Sequence, residues 1–158
     1  MKIVRNLILF LLLATITTNC GFQIQNKANL INFNITEITT SGEGRINFKL
    51  KNKLMLNKSF NENQNIKLNL VTKKNKTVKE KNINNEITKY NISITVQVTY
   101  NILGTTDKNE FKISKSGDFN VDSQYSQTLN NEKKLIEILT NDLSDKIFDR
   151  LILKLNAI

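Results

Sequence analysis

The chain contains one cysteine, Cys20, and no histidine. A single thiol cannot close an internal disulfide, and without histidine it lacks the usual partner for nucleophilic or metal chemistry. Cys20 follows a basic start, with Lys2 and Arg5, and the apolar run LILFLLLATI at 7–16. This run is shorter than the ~20 residues of a membrane-spanning helix but matches a signal-peptide core of about 7–15 residues. The pattern predicts a lipoprotein signal peptide over 1–19, with an S-diacylglycerol and an N-acyl group on Cys20. An ordinary signal peptide or a short anchor is the alternative.

A second candidate for chemistry is the segment KKNKTVKEK, which concentrates lysines after an apolar strand pattern. Its basic residues are Lys73, Lys74, Lys76, Lys79 and Lys81. Read as a flexible loop, this segment would attract the phosphates of an anionic lipid surface by roughly 1 kcal/mol per lysine. These five lysines are therefore candidate lipid-binding residues, and a solvated loop with no ligand is the alternative interpretation.

Overall charge favours the same class of ligand. Without residues 1–19, the remaining 139 residues carry 21 Lys and Arg against 14 Asp and Glu, a formal charge of +7. A basic surface suits nucleic acid, anionic lipid or an acidic partner, and export makes nucleic acid the least expected of these. A solvated surface in a chain rich in lysine and asparagine explains the charge equally well. The length of the segment 20–158 suits one domain.

No catalytic constellation is present in the sequence. The chain lacks a histidine and a cysteine pair, and it has no glycine-rich loop of the length that cradles phosphates. Asp142, Asp145 and Asp149 form a carboxylate row near the C-terminus, but Lys146 and Arg150 alternate with them. The row is therefore interpreted as a salt-linked, solvent-exposed helix face. We expect neither an enzyme nor a cofactor or metal site.

Several alternating segments predict β-strands. The clearest is 90–102, where apolar residues at even positions alternate with Asn, Ser, Thr and Gln at odd positions. Such alternation is typical of a strand with one buried and one wet face. The alternation resumes after a turn-rich stretch at Phe111 and Ile113, and it continues at odd positions with Phe119, Val121 and Tyr125. Gly117 interrupts it and is predicted to mark a bulge or bend. Earlier strands are predicted around Phe33 and around Leu68.

Two segments carry helical periodicity. Ile136, Leu139, Leu143, Ile147, Leu151 and Leu155 recur every three or four residues. They predict a C-terminal amphipathic helix capped at Asn130 or Asn131, with Glu132 in its first turn. The segment 44–58 fits a helix slightly better than a strand. Together the elements predict an α+β fold, a two-layer sandwich with a four-stranded sheet and two helices packed on one face.

These pieces resemble one known family, the LptE family of lipopolysaccharide-assembly lipoproteins. The start CGFQIQ at Cys20 is similar to the first residues of its mature members, and GRINFKLKNKLMLN lies where the family has its first helix. TKYNISITVQVTYNIL is similar to its long central strand. The stretch from DFNVDSQYSQTLN to LILKL resembles its last strand and terminal helix. The resemblance extends from Cys20 to the C-terminus, and its strength lies in the order and spacing of these segments.

The resemblance implies an outer-membrane lipoprotein with no catalytic activity. Members of this family sit as a plug inside the LptD β-barrel and help to insert lipopolysaccharide into the outer leaflet. It therefore implies an LptD-like barrel and lipopolysaccharide as partners, and a lipid-anchored position that faces the periplasm or the barrel lumen. The basic residues would then meet lipid A phosphates. An unrelated periplasm-facing lipoprotein that serves as a binding module of another envelope complex is the alternative. An outer-membrane barrel is disfavoured by the terminal helix and by strands fewer than the minimum of roughly eight.

Overall fold

The computed structural model describes residues 33–56, 64–106 and 108–156. The elements in chain order are β1 (Phe33–Gly42), α1 (Gly44–Leu56), β2 (Gln64–Lys81), β3 (Ile87–Ile102), β4 (Lys108–Asn120) and α2 (Tyr125–Leu155). Residues 1–32, including Cys20 and the predicted signal peptide, lie outside the described residues. The prediction of a domain over 20–158 therefore stays a prediction.

The four strands form one mixed sheet with the order β1-β2-β3-β4. β1 runs parallel to β2, so their connection must cross over, and the chain between them includes α1. β2, β3 and β4 form an antiparallel meander. Both helices contribute to the single apolar core on one face of this sheet. The predicted α+β sandwich with two helices on one face is confirmed.

The central strand β3 follows its sequence pattern closely. Its even positions are buried against the helices, at Ile92, Ile94, Val96, Val98 and Tyr100. The intervening polar side chains lie on the opposite face of the sheet, which we call the open face. β3 pairs with β4 in antiparallel fashion, from Lys89 opposite Asn120 to Asn101 opposite Lys108. This pairing confirms that the alternation resumed at Phe111 and Ile113 belongs to a further strand.

The structure decides the ambiguous segment 44–58 in favour of a helix. In α1, Ile46, Leu50 and Leu54 are buried in the core, at the spacing of one helix face. Phe48 is 68% exposed. A strand would have placed Phe48 on the same face as Ile46 and Leu50, so its exposure distinguishes the two interpretations.

The predicted start of the C-terminal helix is wrong. α2 begins at Tyr125, so Asn130, Asn131 and Glu132 lie inside the helix and provide no cap. The Thr128 hydroxyl instead accepts a hydrogen bond from the backbone N–H of Asp122 at 2.8 Å, and the Asp122 carboxylate accepts one from the Gln124 N–H at 3.0 Å. Tyr125, which was predicted to continue the strand alternation, is an exposed helical residue.

Gly117 does not mark a bulge. It pairs in regular register with Ile92 of β3. A Cβ atom at this position would lie 2.7 Å from Cδ1 of Leu135 in α2. The interruption of the apolar pattern therefore has a packing cause, because the missing side chain lets α2 approach β4 closely.

Gly42 lies at the junction of β1, α1 and β2. Its φ is +95°, and a Cβ atom there would lie 2.0 Å from the carbonyl oxygen of Thr72. The Thr72 hydroxyl accepts a hydrogen bond from the Glu43 N–H at 2.9 Å and donates one to Oδ1 of Asn47 at 2.8 Å. Thr72 and Asn47 are both buried. This network fixes the point at which the chain leaves the sheet and enters α1.

Candidate functional site

The lysine-rich segment is a strand and not the loop that the sequence suggested. β2 continues through Lys81, and its second half pairs with β3, with Lys73 opposite Thr95 and Lys74 opposite Ile94. The apolar pattern of β2 ends after Val71, but the ladder with the long apolar strand β3 keeps the backbone extended. The five candidate lysines therefore project from both faces of the sheet.

Three of the five lysines have partners within the fold. The Lys76 ammonium contacts Glu132 at 2.6 Å and lies 4.4 Å from the ring centroid of Tyr90. Lys79 forms an ion pair with Asp118. Lys81 donates a hydrogen bond to Asn85 at 2.8 Å. These side chains hold β2 to α2, to β4 and to the β2–β3 turn.

Lys73 and Lys74 differ from the other three. Neither forms an ion pair with a carboxylate of the described residues. As adjacent strand residues they also point to opposite sides, Lys73 to the open face and Lys74 toward the helices. The structure therefore does not bring the five lysines together as one site.

Lys74 faces a cavity of about 520 Å³ between β2, the start of α1 and the first half of α2. We call it the Lys74 groove, and its lining residues are Glu43, Gly44, Arg45, Ile46, Lys74, Leu129, Glu132, Lys133 and Ile136. Among them, sequence reasoning missed Arg45, Lys133 and Leu129. Lys74 follows Leu70 and Thr72 at alternate positions of the sequence. A predicted strand that continued to Lys74 would therefore have placed its side chain on the helix side of the sheet.

The open face of the sheet is polar, and its side chains are joined by hydrogen bonds and an ion pair. Pairs of side chains bond across neighbouring strands, with Thr95 and Ser114 hydroxyls 2.8 Å apart and an Asn91 amide that donates to Asp118 at 2.7 Å. Glu37 and Lys67 add an ion pair at 2.9 Å. Neither helix covers this face, so it presents hydroxyl and amide groups to whatever lies beside it.

Asp118 provides a pH-dependent check of this surface. The hydrogen bond from the Asn91 amide, followed by that from Lys79, lowers the pKa of Asp118 from its ordinary 3.8. Because its pKa is lower in the folded than in the unfolded chain, Asp118 favours folding above pH 3.8. This contribution disappears as the pH falls through the lowered value. We expect Asn91→Ala to raise the pKa of Asp118 toward 3.8 in an NMR titration of its carboxyl carbon. Ser93→Ala is the control, and an unchanged pKa in Asn91→Ala would contradict the assignment.

The carboxylate row on α2 pairs with residues of other elements. Asp145 contacts Lys53 of α1 at 2.9 Å, and Asp142 lies 3.5 Å from Lys115 of β4. Arg150 lies over the ring of Phe111, 5.4 Å from its centroid. The row thus joins α2 to α1 and β4 as well as facing solvent. Within the ranges that the structure describes, no group of three or more acidic, cysteine or histidine side chains is placed to hold a metal ion.

The helices of the described ranges include none that combines the length and apolar character needed to cross a membrane.

Comparison with known proteins gives one family and several related folds. A model of the family LptE, described as lipopolysaccharide-assembly, matches residues 15–151. The crystal structure of the rare lipoprotein B from Shewanella oneidensis is 20% identical, with a TM-score of 0.51, and the match covers 78% of this chain and 94% of that one. The solution NMR structure of lipoprotein B from Nitrosomonas europaea is 12% identical, with a TM-score of 0.56 and coverage of 87% and 94%. At these identities the two structures support the fold alone. A search of curated proteins gives no match.

Proposed function

The chain belongs to the LptE family of lipopolysaccharide-assembly proteins, and from this premise we propose that it is a non-catalytic plug of an LptD-type outer-membrane β-barrel. Anchored in the outer membrane by acyl groups on Cys20, it would occupy the barrel lumen and assist the assembly of lipopolysaccharide at the cell surface. The observation that carries the proposal, beside the family match, is the polar open face.

A plug inside a water-filled barrel requires a compact body whose apolar side chains are used internally. The sheet and two helices share one apolar core, and the open face carries Asn, Ser, Thr and Gln side chains from Asn91 to Asn101 of β3. The interior wall of a large barrel is polar, so hydroxyl and amide groups suit contact with it. Lateral bonds such as that between Thr95 and Ser114 hold these groups in place before contact, which lowers the entropy cost of binding.

The lysines contribute to this proposal unequally. Lys76, Lys79 and Lys81 are engaged by partners within the fold. Lys73 on the open face and Lys74 in the groove have no ion pair with a described carboxylate. Of the five candidate lysines, Lys73 and Lys74 are therefore the two whose charges no described carboxylate offsets by an ion pair.

Site-directed photo-crosslinking in the native membrane tests the plug. A photoreactive residue at Thr95, in the middle of the open face, is expected to give an adduct of the chain with one large barrel protein. Asn52, on the exposed side of α1, is the matched control in the helical layer, and we expect a weaker adduct there. Incorporation at Thr95 without any barrel adduct would contradict the proposed contact.

A separate prediction concerns the acyl anchor on Cys20. Several acyl chains on one residue give stable membrane attachment. We expect Cys20→Ser to abolish acylation of the chain. Intact-mass measurement of the N-terminus checks the chemistry, and a wild-type chain without acyl groups on Cys20 would contradict the anchor.

A further inference from the structure

We propose that the Lys74 groove is a binding site for the head group and first chain segment of an anionic phospholipid. The inference deepens the proposed function and rests on it for the setting, a membrane in which phospholipid is abundant. The groove lies between the sheet and the helices, on the opposite side of the sheet from the open face that is proposed to contact the barrel.

The position of Lys74 in the sheet is the first observation. The helix-facing row of β2 runs through Ile66, Leu68, Leu70 and Thr72, all buried, and its next residue is Lys74. The neighbour of Lys74 across the ladder is Ile94, which is fully buried. Lys74 is half-buried at this position, and no described carboxylate forms an ion pair with its ammonium group. An anion in the groove would provide the opposite charge.

The electrostatics of the groove favour an anion. Arg45 and Lys133 line it together with Lys74, and neither forms an ion pair with a described carboxylate. Of the two acidic residues in the lining, Glu132 is engaged by Lys76 at 2.6 Å. Three cations therefore face one uncommitted carboxylate, that of Glu43, and the guanidinium and ammonium groups are suitable donors to phosphate oxygens.

The remaining walls are apolar. Ile46 closes the groove from α1, and Leu129 and Ile136 line it from α2. Leu129 is 36% exposed although it points into this space. Apolar walls beside a few convergent polar groups are typical of a small-molecule site. A ligand with an anionic head and an apolar chain would use both parts.

The size of the groove selects among anionic amphiphiles. Its volume of about 520 Å³ lies within the ~300–1,000 Å³ range of pockets for drug-sized ligands. That space suits one glycerophosphate head with part of one chain. A phosphorylated disaccharide that bears several chains would leave most of its atoms outside the groove.

The test measures binding of dihexanoyl phosphatidylglycerol to the full chain in a neutral detergent by native mass spectrometry. We expect one bound copy, and we expect Lys74→Gln to weaken the binding by about tenfold through the loss of a charge-assisted hydrogen bond. Lys73→Gln is the matched control, because it removes the same charge from the adjacent residue on the opposite face. Lys133→Gln on the surface of α2 should also weaken binding, and thermal melting shows whether each variant is folded.

Four results would overturn the inference. Equal weakening by Lys73→Gln and Lys74→Gln would mean that net charge alone attracts the lipid. Equal binding of dihexanoyl phosphatidylcholine would show that the groove does not recognise an anionic head. Equal binding of inorganic phosphate would show that it does not recognise the chain. Binding of purified lipid A without binding of the phosphatidylglycerol would assign the groove to the other lipid. Co-purification of Lys74→Gln with the barrel separates the two proposals, since a failed groove leaves that association intact.

Discussion

Replacement of Gly42 by alanine is expected to destabilise the fold by about 3 kcal/mol or more, which is a large effect for one methyl group. Two causes act together. The φ of +95° is unfavourable for any residue with a Cβ, and that Cβ would lie 2.0 Å from the carbonyl oxygen of Thr72. Relief of the clash requires β1 to separate from β2 at the point where the buried Thr72–Asn47 hydrogen bond joins β2 to α1. Chemical denaturation of the full chain in detergent would measure the change in free energy of unfolding.

Gly104→Ala separates these two causes. Gly104 has the same φ of +95°, but no atom lies within 4 Å of a Cβ built there. We expect it to cost only the conformational term, about 1–2 kcal/mol. Equal costs for Gly42→Ala and Gly104→Ala would show that the close approach of β1 to Thr72 contributes nothing.

The second large effect is expected at the centre of α2. Leu143 is fully buried in the core that joins both helices to the sheet. Leu143→Ala should lower the free energy of unfolding by about 3–5 kcal/mol, because it removes buried methyl groups and leaves a cavity. Leu153 on the same helix is 72% exposed, and Leu153→Ala should change stability by about 0.5 kcal/mol or less. Similar losses for the two variants would contradict the orientation of α2.

The spacing of apolar residues in the sequence predicted those elements that are buried uniformly along their length. The alternation in β3 and the period of the second half of α2 each reflect one continuously buried face, so both were visible in the sequence. The second half of β2 was missed because its residues, apart from Val78, are lysines and other polar residues. Its extended conformation depends on the ladder with β3, as in the pairing of Lys74 with Ile94, and a single segment of sequence does not contain that information.

The Lys74 groove could not be predicted from local sequence patterns, because its residues come from three elements that are distant in the chain. Arg45, Lys74 and Lys133 meet only when α1 and α2 pack on the same face beside β2. Gly117 shows the same limit, since its meaning depends on Leu135 of α2 lying above it. Likewise the start of α2 depends on the Thr128–Asp122 contact. Asn130 and Asn131 are residue types that often cap helices, but here they lie inside the helix.

Association with a barrel is the central claim, and isolation of the tagged full chain from its own membranes in mild detergent tests it most directly. The intact mass of the N-terminus is read from the same sample. We predict a stoichiometric large β-barrel partner together with a chain that begins at an acylated Cys20. An acylated chain that repeatedly purifies without such a barrel would contradict the plug and would assign the protein to another envelope complex.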